Sequence, residues 1–213
     1  MNSEGLSGIA YSFCRWFTRL AFLNFLWICT TVAGLIVFGI FPATVALFAV
    51  TRNWIIGERD ESIVKVFFQV YKRDFLKANR LGFIVMGVGC VLYYNLSFLN
   101  NLASDMVVQV MYLGTLTLSL IYVIVLMYLF PVFVHYDITI WRVIKSAFIV
   151  GVSNPHYTFL MTSSSILIYI LLFIVELFLF FSVSIIALLI MWCAYQIFEK
   201  IENIKLERES ASS

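Results

Sequence analysis

Charge is scarce in this chain. Only 12% of its 213 residues are Asp, Glu, Lys or Arg, about half the share usual in soluble domains. Proline occurs three times and histidine twice, while the four cysteines, Cys14, Cys29, Cys90 and Cys193, form no CxxC pair. These shortages exclude a zinc cluster built on paired cysteines and a polyhistidine metal site. The cysteines read instead as small apolar fillers within or beside helices. No glycine-rich phosphate loop, metalloprotease helix or nucleophile–base motif occurs. Long polar segments are also missing, the longest running from about Glu58 to Arg80, which leaves no room for a soluble domain.

What fills the chain is apolar sequence, 62% of it. Apolar runs of 18 or more residues recur, and each is long enough to cross a hydrocarbon core of about 30 Å. The expected fold is all-α: one polytopic transmembrane helical bundle over residues 1–213, with interfacial amphipathic helices. Spans are expected at about 20–40, 82–99, 107–134, 158–176 and 178–198, with a short one at 43–57. The run from Leu20 to Ile40 reads as a retained span, because it exceeds the 7–15 residues of a leader's apolar core. A turn is expected at Phe41-Pro42-Ala43-Thr44. A tight hairpin is expected near Glu176–Ser184, since 158–198 is too long for one span.

Three segments have the pattern of surface helices. Within 6–19, Leu6, Ile9, Phe13, Trp16 and Phe17 share one face, with Arg15 and Arg19 off it. Within 62–80, Val64, Phe67, Phe68, Tyr71, Phe75 and Ala78 form a stripe, and the basic residues Lys65, Lys72 and Arg73 face elsewhere. Asp60 or Ser62 can cap that helix. Within 138–151, the expected stripe is Ile138, Trp141, Ile144 and Phe148, capped by Asp137. Such helices suit the lipid bilayer surface, and basic residues beside spans give no support for a nucleic-acid partner.

Charge also predicts topology. If 43–57 crosses, all fourteen Lys and Arg residues fall on one side, and the connections around Phe41, Asn100–Asp105 and Glu176–Ser184 carry none. The positive-inside rule then places both termini in the cytoplasm, with the chain in the cell membrane. The cost is Arg52 at depth, a few kcal/mol on insertion scales unless it is paired.

Candidate chemistry is thin. Arg52 and Asn53 are the one pair that suggests substrate binding, because an ionisable residue inside a membrane segment is a functional hypothesis by default. The competing expectation is that Arg52 only reaches back to headgroups. Glu176 is expected at an exposed turn. His135, Asp137 and His156 are too dispersed for metal binding, and Ser163-Ser164-Ser165 suits helix packing better than catalysis. Gly82, Gly87, Gly89, Gly114 and Gly151 are expected to let helices approach closely. No catalytic residue, metal or cofactor is expected.

Several stretches resemble the YesL-like family of integral membrane proteins from Gram-positive bacteria. They are Leu23-Asn24-Phe25-Leu26-Trp27, Pro42-Ala43-Thr44, Arg52-Asn53-Trp54, Phe67-Phe68, and Phe75 through Lys77-Ala78-Asn79, together with Phe130-Pro131. That family's function is itself unknown. The resemblance implies a link to carbohydrate uptake, because such proteins often occur beside sugar importers and polysaccharide-degrading enzymes. The expectation is a non-enzymatic multi-pass protein accessory to a carbohydrate ABC-type importer, with the importer's membrane subunits or a second copy as partner. The alternative is a small-solute transporter in its own right.

Overall fold

The computed structural model describes residues 3–58, 61–101, 106–174 and 182–212. Among these there are seven helices and no strand: α1 (Ser3–Ala33), α2 (Ile40–Ile55), α3 (Ile63–Asn101), α4 (Met106–His135), α5 (Ile140–Ser153), α6 (Pro155–Ile174) and α7 (Ser182–Ser212). Four helical stretches are long and apolar enough to cross a membrane: Tyr11–Ala33, Ile63–Asn101, Met106–His135 and Ser182–Ile204.

The short helix α2 is the hub, touching α1, α3, α4 and α7. Ten of its sixteen residues are buried, among them Ala43, Ala46 and Ala49. Small side chains there let neighbouring backbones close in, which is how helices associate where no water drives them together. Because its neighbours cover it, α2 need not match the lipid thickness, although it is only about 24 Å long. The Trp27 indole donates to Thr44 Oγ1 at 3.1 Å and ties α1 to α2. Tyr71 donates to the Thr30 carbonyl at 3.3 Å and ties α3 to α1.

The helices run on where surface helices and spans were expected to be separate. Residues 6–19 join 20–33 as one 31-residue α1. Residues 63–80 join 82–101 as one 39-residue α3, about 58 Å long. No proline interrupts either junction, so the backbone ladder continues. Only part of the expected stripe meets protein: Phe67 and Ala78 are buried, together with Val70, Asp74 and Leu81, while Val64 and Phe68 are exposed, and α2 is the neighbour that α3 packs on most extensively.

The first turn lies at residues 34–39 instead of Phe41–Thr44. Leu35 and Ile36 both take left-handed φ values of 57° and 61°, each costing about 1–2 kcal/mol for an L-residue. Gly34 and Gly39 make the turn tight: a Cβ on Gly39 would meet the Thr31 carbonyl oxygen, and one on Gly34 would meet Gly39 Cα. Pro42 sits in the first turn of α2, where its missing N–H has no intrahelical acceptor to lose.

Two further expectations change. Thr139, not Asp137, is the N-cap residue of α5, and its side chain makes no capping bond. The buried face of α5 is Val143, Ala147, Val150 and Gly151, while Trp141 and Phe148 of the expected stripe are exposed. The helix is apolar on two sides, one for α4 and one facing away from the protein. Of the five glycines, Gly82 abuts the Phe41 ring, Gly89 the Tyr122 hydroxyl and Gly151 Ile124, whereas Gly87 and Gly114 face open space. Glu176, the connection 102–105 and the turn between α6 and α7 lie outside the described residues, as do Arg59 and Asp60.

Candidate functional site

In the last turn of α2, the apolar helix that fills the core, stands an arginine. Arg52 is half-buried there and donates from Nε to His135 Nδ1 at 3.4 Å. His135 ends α4, and its Nε2 lies 3.3 Å from Glu202 Oε1 on α7. The imidazole stacks on Phe198, with ring centroids 4.5 Å apart. An Arg–His–Glu chain thus joins three helices at one end of the bundle.

Asn53, next along α2, donates to Glu61 Oε2 at 3.1 Å. On α3, Arg73 grips the Asp74 carboxylate with Nε and Nη2, the shortest bond being 2.8 Å. Asp74 is buried although it belongs to an acidic type, while the Arg73 side chain is 66% exposed. The pair survives because a forked guanidinium supplies two charge-assisted bonds. Arg52, Asn53, Glu61, Gln69, Arg73 and Asp74 together line a cavity of about 290 Å³.

The formal charges around this cavity cancel: Arg52 and Arg73 stand against Glu61 and Asp74. A balanced, hydrogen-bonding wall suits an uncharged polar ligand or a zwitterion better than a bare ion. Arg52 is half-buried and bonded to His135, while the Arg73 side chain is mostly exposed.

Sequence reasoning placed Arg52 and Asn53 at the site but missed Glu61, Asp74, His135 and Glu202. The signal for Asp74 was available, since it occupies the same helical face as Phe67, Val70 and Ala78. For His135 and Glu202 there was none, because only the packing of α7 on α4 brings them together. Asp137 goes elsewhere and accepts from Lys77 Nζ at 3.2 Å. Among the described residues no group of three His, Cys, Asp or Glu side chains could hold a metal. Two members of the serine cluster bond to their own helix: Ser163 and Ser164 donate to the Leu160 carbonyl.

Residues 20–96 match the family described as "Protein of unknown function, DUF624", which covers α2, the last 14 residues of α1 and most of α3. The chain is 35% identical over 201 residues to "Uncharacterized protein YesL" of Bacillus subtilis (strain 168), covering 94% of each. It is 34% identical over 204 residues to "Uncharacterized protein YteU" of the same organism, covering 95% of this chain and 91% of that one. It is 32% identical over 196 residues to "Uncharacterized protein YesV", again from that organism, covering 90% and 92%. No solved structure matches the chain. With long apolar helices throughout and relatives this similar over nearly its whole length, the chain belongs to the DUF624 family of YesL-like proteins.

Proposed function

We propose that the chain is a non-enzymatic multi-pass protein of the cell membrane, with both termini cytoplasmic, that assists a carbohydrate ABC-type importer. One observation carries the membrane part: charge is sorted along the molecule. Every described Lys and Arg lies in α1 at or before Arg19, the end of α2, the first half of α3, α5 or the end of α7. Residues 81–101, 106–134 and 155–174 carry no Asp, Glu, Lys or Arg. Their outward side chains are large and apolar, for example Val107, Leu113 and Phe159. This sorting supports the cytoplasmic side for the charged end.

The accessory role draws on the family resemblance and on the interior. Beyond Arg52 the space around α2 is filled by Ala43, Val45, Leu47 and Val50, all buried, which offers a polar solute little to hold. The charged end, with its ion-paired cavity, is the surface that a partner's cytoplasmic face would meet. The importer's membrane subunits are the proposed partner, and a second copy of the chain is the alternative.

The test is affinity purification in mild detergent from cells grown on a complex polysaccharide, followed by mass spectrometry. Stoichiometric importer subunits are expected. Recovery of the chain alone overturns the accessory role.

A second reading, transport of a small polar solute by the chain itself, is favoured by the charge-balanced cavity at Arg52 and Asn53. Proteoliposomes that accumulate a neutral sugar, and lose that uptake with Arg52→Ala, would replace the first reading with this one.

A further inference from the structure

Helices α3 and α4 run antiparallel. Thr115 bonds to Asn95 at 3.5 Å, Tyr122 to the Val85 carbonyl at 2.9 Å, and Asp137, just past α4, to Lys77 at 3.2 Å. Residues 81–101 of α3 carry no charge and rise about 31 Å, the thickness of a hydrocarbon core. If that stretch spans the bilayer, Arg80 stands where the hydrocarbon ends and headgroups begin.

A groove of about 720 Å³ opens at this level, between α3 and the start of α5. Its walls are Phe83, Ile84, Ile140 and Trp141 on the apolar side, with Lys77, Arg80 and Asp137 at the charged edge. Trp141 is 74% exposed, which is unusual for so large an apolar ring unless lipid covers it. Lys77 is paired with Asp137. Among the described residues Arg80 has no hydrogen-bond or ion-pair partner. The groove therefore offers one uncompensated cation above an apolar slot.

We propose that this groove binds one anionic glycerophospholipid, its phosphate on Arg80 and an acyl chain along Phe83, Ile84 and Trp141. The occupant follows from complementarity. A soluble anion would leave the apolar wall bare, and a zwitterionic lipid would bring its own cation against Arg80. The proposal rests on membrane insertion of the long helices and is independent of the importer.

The experiment is native mass spectrometry of the full chain released from nanodiscs holding equal phosphatidylglycerol and phosphatidylcholine. Selective retention of one phosphatidylglycerol is expected. One cation near an anionic headgroup contributes about 1 kcal/mol, so Arg80→Gln should weaken retention about fivefold. Arg80 is exposed, so this variant should keep its melting temperature. Arg142→Gln removes a cation from the neighbouring hollow on the other side of α5 and should leave retention unchanged. Equal retention of the two lipids overturns the proposal. So does an equal loss in Arg142→Gln, which would mean general surface charge. Displacement by excess inorganic phosphate also overturns it, in favour of a bare anion site.

Discussion

Arg52 Nε lies 3.4 Å from His135 Nδ1, across 83 positions of sequence. A guanidinium can only donate, so Nδ1 accepts and the ring proton sits on Nε2, where it donates to Glu202. The arrangement therefore requires a neutral imidazole in one tautomer. Nitrogen-15 NMR of histidine-labelled protein, which has two histidines to assign, should show His135 with the proton on Nε2 at neutral pH. Arg52→Ala should leave the proton on Nε2, because the Glu202 carboxylate still accepts it. Glu202→Gln should leave the tautomer in place, because an amide oxygen still accepts. An imidazolium at His135 in neutral buffer would refute this geometry.

Removing the two members of the Arg73–Asp74 pair should not be equivalent. Arg73 is mostly exposed and Asp74 is not. Arg73→Ala leaves a buried carboxylate without its cation, at about 2 kcal/mol, or roughly 4–8 °C in melting temperature for a chain of this size. Asp74→Asn lets Arg73 turn to water and should cost under about 1 kcal/mol. Thermal melts of the two variants in the same detergent check the order, and a larger loss for Asp74→Asn would contradict it.

Close packing makes a second asymmetry, between glycines of one helix. A Cβ at Gly82 would run into the Phe41 ring, while one at Gly87 would meet nothing. Gly82→Ala should therefore destabilise by about 1–3 kcal/mol. Gly87→Ala should be neutral or stabilising, since alanine favours helix by up to about 1 kcal/mol. Phe41→Leu should recover part of the Gly82→Ala loss. Additive effects of those two changes would show that they do not touch.

The proposed orientation can be read with thiol labelling. Cys14 is exposed on α1, and Leu35, 78% exposed, lies in the turn at the opposite end. In a background with all four cysteines replaced by serine, an impermeant maleimide should label a restored Cys14 only in inverted vesicles. It should label Leu35→Cys in intact cells. The reverse pattern would invert the topology.

Much of the architecture was legible because its signals are local. Apolar run length found the helices. Helix joints were not legible. The stripe Phe67–Tyr71–Ala78 reads the same whether it meets lipid or protein, and only the packing of α2 against it decides. The turn was placed too late because Pro42 looks like a break, yet a proline in a helix's first turn interrupts nothing. Of the site, Arg52 and Asn53 stood out as polar residues at the end of an apolar run. Their partners are spread from Glu61 to Glu202, a separation that no helical period encodes.

The unbroken course of α3 has a mechanical consequence. Its 39 residues form one continuous beam, from the turn of Lys65 and Gln69 to the far end at Asn101. A beam tilts as a whole, so a push on either end is delivered at the other. The proposed lipid groove sits at Arg80, near the middle. Bilayer composition would then set the angle at which Arg73, Asp74 and the cavity they line are presented, with no rearrangement inside the helix.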